Sequence, residues 1–176
     1  ILDYDRKIFR VNKAEIDYDF SEFRAENLQD DLFKRDFSIN SLAISYKYLS
    51  YFQKQSKTNI SKLSSVIVDP TGGITDLFDG NIRAVSPDVF VDDPLRMLRA
   101  VRLKVKFDFE IESKTENMIY KKRDLIESCS VERIRDELYK IFAFSNTAQN
   151  LKYMEESLDI LSYIIPHLSK MKKVGK

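Results

Sequence analysis

The stretch that decides how this chain is organised is Asp92-Asp93-Pro94-Leu95-Arg96-Met97-Leu98-Arg99-Ala100-Val101-Arg102. Before it, short alternating segments and turn residues indicate a mixture of strands and helices. After it, apolar residues recur at helical spacing. Asp93 is a favourable N-cap and Pro94 a favourable first residue, so a helix is predicted to begin here. The sequence therefore predicts an α+β region followed by an all-helical region, with the division at 90–93.

The predicted elements differ on the two sides of this division. Before it we expect two short strands within 1–20 with a turn near 12–14, one or two helices over 28–52 after the N-cap Asn27, and short strands at 66–68 and 82–85. After it we expect helices at 94–105, 113–122, 131–144 and 147–163, the third capped by Ser130, and then a basic tail at 170–176.

Three arginines, Arg96, Arg99 and Arg102, occupy every third position of the predicted helix. The simplest interpretation is a solvated helix face. However, an arginine in the first turn opposes the helix dipole, which favours anions there. Residues three apart also turn about 60° around a helix, so the three side chains do not form a single stripe. Some of them are therefore expected to contact other parts of the protein or a ligand.

Asp93 and Arg96 are three residues apart and are predicted to be neighbours on the helix. A carboxylate accepts from an exocyclic amino group, and a guanidinium donates to a ring nitrogen. Cytosine and adenine present that pair of groups side by side. Guanine and uracil present a carbonyl beside an N–H, which would leave buried polar groups unpaired at about 1–3 kcal/mol each. This pair therefore has the polarity to select C and A.

A second candidate stretch, 30–43, contains Arg35, Asp36 and Asn40. In a functional interpretation Arg35 reaches a phosphate or a ribose, and Asp36 and Asn40 act as polar positioning residues. In a structural interpretation the stretch is an amphipathic helix with a charged shoulder. Periodicity alone does not choose between them. A third stretch contains Gly72-Gly73 without the Lys-Ser/Thr of a P-loop, so we expect a tight turn there.

Composition excludes several classes of function. A single cysteine, Cys129, excludes an intrachain disulfide framework and a Cys-based zinc cluster, and a single histidine, His167, leaves no His/His metal spacing. The 29 basic and 28 acidic residues exclude a polybasic nucleic-acid tail. Apolar runs are too short to span a membrane, and the first residues do not resemble a signal peptide. A cytoplasmic location is expected, and the start without Met is compatible with a piece of a longer chain.

Taken in order, the motifs resemble those of class II (bacterial-type) tRNA nucleotidyltransferases and poly(A) polymerases. Residues 31–43, DLFKRDFSINSLA, are similar to the family motif DL-RRDFTINALA, with Lys34 for its first Arg and Ser41 for an Ala. The other similar segments are 19–24 just upstream, 69–77 (DPxGGxxDL), 92–100 (EDPLRxLRA, here with Asp92 for Glu) and 130–138 (SxERIxxEL).

The resemblance implies a fold and a set of binding residues. Residues 1–91 would be the distal part of a nucleotidyltransferase head, and 92–176 a helical neck that binds nucleotide and RNA. Asp93 and Arg96 would select the base, and Gly72-Gly73 would be a hinge between head and neck, braced by Asp69 and Asp76. The implied nucleotide-binding residues are Arg35, Asp36, Asn40, Asp93, Arg96, Arg99 and Arg102.

The resemblance also implies an activity: template-independent addition of CMP and/or AMP to tRNA 3′ ends, with this segment selecting CTP or ATP. The family's catalytic pattern, Gly-Gly-x-x-Arg-Asp followed by Asp-x-Asp, does not occur in these residues. Asp3-Tyr4-Asp5 matches only the Asp-x-Asp element of this pattern. No catalytic or metal-binding residue is therefore assigned here, although Asp19 is considered as an accessory carboxylate. Mg²⁺ is expected to bind mainly to carboxylates outside this chain, and the chain alone is expected to be inactive.

Two alternatives stay open. One is a poly(A) polymerase of the same family, which differs in its acceptor and in the number of nucleotides added. The other is a non-catalytic RNA-binding helical module. The near-neutral charge and the lack of an RNA-recognition motif argue against the module.

Overall fold

The computed structural model describes residues 8–13, 16–48, 65–144 and 146–165. Its first part combines short strands with short helices. These elements are β1 (Phe9–Lys13), β2 (Ile16–Phe20), α1 (Leu28–Phe33), 3₁₀ turns at Ser38–Asn40 and Tyr46–Tyr48, β3 (Ala43–Ile44), β4 (Ile67–Val68), α2 (Gly73–Asp79), β5 (Asn81–Ile82) and α3 (Val89–Asp92).

The second part is predominantly helical. Its elements are α4 (Arg96–Phe107), β6 (Glu110–Ile111), α5 (Ser113–Lys122), a 3₁₀ segment at Arg123–Ser128, α6 (Val131–Phe142), α7 (Thr147–Glu156) and α8 (Leu161–Ile164). The fold class is α+β, as predicted. Within the described ranges, no helix is long and apolar enough to cross a bilayer. The expectations for Asp3-Tyr4-Asp5, His167 and the tail at 170–176 lie outside the described residues.

The strands form three small pairs. β1 and β2 are antiparallel, and β3 and β4 are antiparallel. β5 and β6 are parallel and place Ile82 beside Ile111, both of them buried. This third pair joins residues before and after the predicted division at 92. The division itself stays a prediction.

The prediction of one or two helices over 28–52 is wrong for residues 34–48 apart from two short 3₁₀ turns, and residues 49–52 lie outside the described residues. α1 begins as expected, because the Asn27 side chain accepts from the backbone N–H of Asp30 at 2.9 Å. After Lys34 the backbone pairs with a distant segment instead. Ser38 N–H donates to the Arg83 carbonyl at 2.9 Å, and Val85 N–H donates to the Asp36 carbonyl at 3.2 Å. These tertiary bonds use groups that a helix would need, so the helical spacing of apolar residues is overridden.

α4 begins at Arg96, two residues later than predicted. Asp93 does not cap it directly, because Leu95 is its first flanking residue. Instead, Asp93 to Leu95 form a preceding turn. Arg96 and Met97 N–H donate to the carbonyls of Asp93 and Pro94, both at 3.0 Å. The helices predicted at 113–122 and 131–144 agree closely with α5 and α6, and Ser130 caps α6 through a 3.4 Å bond from Arg133 N–H. The single helix predicted over 147–163 is wrong, because α7 ends at Glu156 and α8 begins at Leu161, with Asp159 between them in the left-handed region.

α4 runs through the centre of the apolar core. Five of its twelve residues are buried, namely Met97, Leu98, Ala100, Val101 and Leu103. The same cluster includes Phe37, Ile82 and Phe90 from the first part of the chain. One core therefore spans both parts and holds α4 against the segment around residue 37.

Candidate functional site

A cavity of about 840 Å³ lies between α4 and the segments that contain residues 21–24 and 35–40. The structure brings all seven of the sequence-predicted binding residues to its lining. They are Arg35, Asp36, Asn40, Asp93, Arg96, Arg99 and Arg102. Since these residues come from segments up to 67 positions apart, the cavity depends on tertiary packing.

Asp36 joins the two walls of the cavity. Its Oδ2 accepts from Nε and Nη2 of Arg99 at 2.9 and 2.5 Å, and its Oδ1 accepts from Asn40 Nδ2 at 3.1 Å. Burial acts to raise the pKa of Asp36, but the charge of Arg99 and the bonds from Asn40, Arg99 and Phe37 N–H outweigh burial, so the pKa is lowered. The carboxylate is therefore held ionised between head and neck.

Asp31 anchors Arg35 at the cavity edge. Asp31 is buried, and its Oδ2 accepts from Nη2 and Nε of Arg35 at 2.5 and 3.0 Å. Its Oδ1 accepts from the backbone N–H of Arg24 at 2.7 Å. Burial opposes ionisation of Asp31, but these bonds lower its pKa overall. The sequence analysis gave Asp31 no role, although its i,i+4 spacing to Arg35 on a helix is a signal for this pair.

Asp93 and Arg96 both line the cavity, and both have other partners. Arg133 Nη2, from α6, lies 3.0 and 3.1 Å from the two Asp93 carboxylate oxygens. Arg96 donates from Nη2 to the Lys34 carbonyl at 3.1 Å and from Nη1 to the Val89 carbonyl at 3.3 Å. A guanidinium has five N–H donors and a carboxylate about four acceptor sites, so both groups keep hydrogen-bonding capacity.

Arg133 is a residue that the sequence analysis missed. It is 40 positions from Asp93, and no periodicity connects them. The expectation that some of the arginines of α4 contact other parts of the protein is confirmed. Arg96 contacts backbone carbonyls, Arg99 contacts Asp36, and Arg102 bonds to the buried carboxylate of Glu137 on α6.

The segment around Gly72-Gly73, expected from the resemblance to be a hinge between head and neck, packs against residues of the first part of the chain. Asp69 accepts from the N–H groups of Gly73 and Ile74 at 2.7 and 3.0 Å, which starts α2. A Cβ on Gly73 would lie only 2.0 Å from the carbonyl oxygen of Ser38. The backbone of Gly73 therefore approaches Ser38 so closely that only glycine fits at this position.

Asp76 holds the same segment from the other side. Its Oδ2 accepts from Ser38 Oγ at 2.5 Å and lies 2.7 Å from Arg83 Nη2. Asp69 and Asp76 thus brace the glycines, but against residues 38 and 83 rather than against the neck.

The described part of the chain does not fit a metal centre. Within it, no three His, Cys, Asp or Glu side chains converge to hold an ion. Asp19, considered as an accessory carboxylate, instead accepts from Arg10 Nε and Nη2 at 2.7 and 2.8 Å across the β1–β2 hairpin. That exposed ion pair lowers the pKa of Asp19.

The cavity lining also contains residues to which the sequence analysis gave no role. Glu22, Phe23 and Arg24 come from the segment after β2, and Lys106 and Phe107 from the last turn of α4. Periodicity contains a signal for Phe107 only. Phe107 is eleven residues after Arg96, about three helical turns along the same face, whereas Lys106 lies about 80° around the helix from Arg96.

Comparison with known proteins identifies the family. Residues 3–83 match the model of the poly A polymerase head domain, and 108–172 match that of the probable RNA and SrmB-binding site of polymerase A. An A-adding tRNA nucleotidyltransferase of Deinococcus radiodurans is 31% identical over 172 residues, covering 95% of this chain. A CCA-adding enzyme of Lactobacillus helveticus is 38% identical over 143 residues, covering 78%.

The chain belongs to the bacterial-type tRNA nucleotidyltransferase and poly(A) polymerase family. The resemblance drawn from its motifs is thereby confirmed. The chain spans 35% and 31% of the lengths of those two relatives.

Solved structures agree with the assignment. A CCA-adding enzyme in complex with CTP superposes with a TM-score of 0.75 at 28% identity, covering 93% of this chain and 36% of that protein. A CCA-adding enzyme of Thermotoga maritima in complex with tRNA superposes with a TM-score of 0.71 at 29% identity, covering 91% and 38%.

Proposed function

We propose that this chain is the nucleotide-selecting part of a template-independent tRNA nucleotidyltransferase, which adds CMP and/or AMP to tRNA 3′ ends. The observation that carries the proposal is the convergence of Asp93, Arg96 and Arg99 with Arg35 on one cavity. Base-selecting groups and phosphate-binding cations then border the same space. CTP and ATP are the proposed substrates, and the tRNA 3′ end is the proposed acceptor.

Base selection rests on the capacity that Asp93 and Arg96 keep after their internal bonds are counted. Arg133 fixes the Asp93 carboxylate, which leaves acceptor sites for an exocyclic amino group. Two backbone carbonyls fix the Arg96 guanidinium, which leaves N–H groups for a ring nitrogen. Cytosine and adenine satisfy both groups, whereas uracil and guanine leave both unpaired. Because the side chains are already fixed, little entropy is lost when the base binds.

Phosphate binding rests on partly exposed guanidinium groups. The side chains of Arg35 and Arg99 are 33% and 37% exposed, and each is held by one carboxylate. Arg102 lines the same space while it bonds to Glu137. We propose that Arg35 contacts a phosphate or the ribose, that Asp36 and Asn40 hold Arg99 in place, and that Arg102 is both a contact and a brace to α6. Planar guanidinium groups suit phosphate oxygens because they donate two parallel hydrogen bonds.

We propose that the Mg²⁺ ions implied by the family are held mainly by carboxylates outside this chain. In two-metal nucleotidyl transfer such ions stabilise the attacking and leaving oxygens. The described residues contribute selection and orientation of the nucleotide. The isolated chain is accordingly proposed to be catalytically inactive.

Calorimetric titration of this chain with CTP, ATP, UTP and GTP in turn tests nucleotide selection. We expect CTP or ATP to bind at least about tenfold more tightly than UTP and GTP, since each unpaired group costs about 1–3 kcal/mol. Asp93→Ala and Arg96→Ala should each reduce this preference. Asp79→Ala, which changes an exposed carboxylate outside the cavity, is the control. Equal affinity for all four triphosphates in the wild type would contradict the selection role.

Incorporation assays with the complete enzyme test the reaction. A tRNA lacking its 3′ CCA is offered with each labelled triphosphate. Addition limited to C and A supports the proposal, and the product's order gives the subtype. Long runs of A alone would indicate a poly(A) polymerase. RNA binding without nucleotide binding or incorporation would favour the helical module, and incorporation by residues 1–176 alone would contradict the inactive-fragment proposal.

A further inference from the structure

The far end of the cavity carries residues that nucleotide selection does not use. Arg96 and Phe107 are eleven residues apart on α4, so they lie about 16 Å apart along the helix axis. Arg96, Leu103 and Phe107 fall within about 40° of one another around it. One continuous face of α4 therefore extends the cavity away from the base-selecting pair.

This end has the chemistry of a site for a nucleobase and its phosphate. Phe107 is 45% exposed although it lines a cavity. Lys106 Nζ lies 4.9 Å from the centre of the Phe107 ring, and in the described part of the chain it forms no salt bridge. By contrast, Lys104 on the same helix is paired with Glu110. A second exposed ring, Phe23, lines the cavity from the other wall.

We propose that Phe107 stacks on the base of the 3′-terminal nucleotide of a single-stranded RNA acceptor and that Lys106 binds that nucleotide's phosphate. The inference rests on the proposed function, because a transferase must hold the acceptor's last nucleotide next to the incoming one. Aromatic rings accept any base by stacking, and cations supply sequence-independent attraction to phosphates. An acceptor site of this kind tolerates whichever base is terminal, while Asp93 and Arg96 select the next one.

RNA fits this end better than a protein segment does. The cavity that Phe107 lines is also lined by Lys106 and by the arginines proposed to bind phosphate. A polyanion with planar bases complements an exposed ring beside a lysine, whereas an apolar peptide would desolvate the Lys106 ammonium without giving it a partner.

The test uses the 176-residue chain and two fluorescein-labelled single-stranded RNAs. One ends in CC, and the other is identical except for an abasic 3′-terminal residue. We expect the wild type to bind the intact RNA about tenfold more tightly, which is within the range for one base–aromatic stack. Phe107→Ala should abolish the difference between the RNAs, Phe107→Trp should keep it, and CTP affinity should stay within about twofold in both variants.

Matched controls separate stacking from general effects. Phe78→Ala removes a phenyl ring of similar exposure, 52%, that does not line the cavity, and it should keep the full preference for intact RNA. Lys106→Ala should lower the affinity for both RNAs equally and reduce the salt dependence of binding by about one phosphate contact. Lys114→Ala, on α5 and outside the cavity lining, should change neither.

Three outcomes would overturn the inference: no preference for intact RNA in the wild type, a preference that persists in Phe107→Ala, or an equal loss in Phe78→Ala. Each leaves the proposed function standing if CTP or ATP still binds selectively. Absence of selective CTP or ATP binding in the wild type would instead remove the proposed function on which the inference rests. Circular dichroism of each variant shows whether the helices are retained.

Discussion

The head region (described residues up to 91) and the neck region (described residues from 92) are stabilised by different interactions. Among the described residues of the head, five buried side chains are apolar and five are polar or charged. In the neck, fifteen are apolar and two are polar or charged. The cavity lies where these regions meet, with Asp36 on one wall and Arg99 on the other.

This difference teaches how the site is assembled. The neck supplies a helix fixed by apolar packing, and that helix places its cations by periodicity. The head supplies short segments that packing alone would not fix, and buried carboxylates hold them instead. Apolar packing is nearly independent of pH, whereas ion pairs require an ionised carboxylate. Perturbations should therefore affect the two regions differently.

The largest expected effect is in the head, at Gly73. Gly73→Ala places a Cβ 2.0 Å from the Ser38 carbonyl oxygen, so the backbone must shift. We expect the free energy of unfolding to fall by more than about 3 kcal/mol, beyond the usual cost of an overpacked core. Urea unfolding followed by circular dichroism measures this change. Thr75→Ala, exposed on the same helix, should have little effect. A near-neutral Gly73→Ala would show that the head is loosely packed.

The next effect is in the neck, at Leu98, which is fully buried in α4. Leu98→Ala should lower the free energy of unfolding by about 3 kcal/mol through lost burial and the cavity left behind. The loss in free energy of unfolding should be the same at about pH 7 and about pH 4, because the substitution removes no carboxylate. Leu77→Ala, with a 46% exposed side chain in α2, is the control. A loss that varies strongly with pH would remove the distinction between the regions.

A smaller effect is expected from the link between the regions. Asp36→Ala removes the partner of Arg99 and should cost about 2 kcal/mol. The cost stays below that of a fully buried pair because Arg99 is 37% exposed and regains water. Nucleotide affinity should fall as well, since Arg99 loses its fixed position. The control is Asp79→Ala, measured by the same unfolding and titration experiments, and equal effects of the two variants would contradict the linking role.

Acid should weaken the head before the neck. The folded-state pKa values of Asp31 and Asp36 lie below the ordinary Asp value, because their arginine partners outweigh burial. Their stabilisation is therefore complete above the unfolded-state pKa of about 4 and is lost as pH falls through the folded-state values. Unfolding measured at decreasing pH should show this loss, and Asp36→Asn should show a flatter profile. An unchanged profile in Asp36→Asn would exclude Asp36 as a source of the acid sensitivity.

The smallest effect is expected at the N-terminus of α6. Ser130→Ala removes a 3.4 Å cap bond to Arg133 N–H at an exposed position and should cost about 0.5 kcal/mol. Ser130→Asp should restore the stability, since aspartate caps helices equally well. A cost in Ser130→Ala as large as that of Leu98→Ala would mean that capping, and not packing, dominates the neck. The same unfolding experiment distinguishes the two.

Residue patterns alone predicted most helices of the neck, because they follow local rules, but missed the break between α7 and α8 at Asp159. Apolar spacing gave the helix at 113–122, and cap chemistry gave the start of α6 at Ser130. The α+β class, the family motifs and the seven lining residues were also accessible from the sequence. Periodicity predicted that the three arginine side chains of α4 point in different directions, since their angular spacing is a property of the helix itself.

The head was predicted less well, because its structure depends on contacts between distant segments. The helix expected over 28–52 ends at Phe33, since residues 36–38 bond to 83–85. Gly73 packs against Ser38, a contact that no local pattern indicates. A local pattern cannot show where a backbone donor finds its acceptor 45 residues away.

The sequence by itself determined the family, the helical neck and the types of side chain that the site contains. Tertiary structure alone decided how those side chains are engaged. Arg133 reaches Asp93 from 40 positions away, Asp36 holds Arg99 across the two regions, and Phe107 is left exposed at the cavity's far end. The physical reason is that a helix fixes directions locally, whereas a hydrogen bond or ion pair depends on the distance between groups that only the packed core brings together.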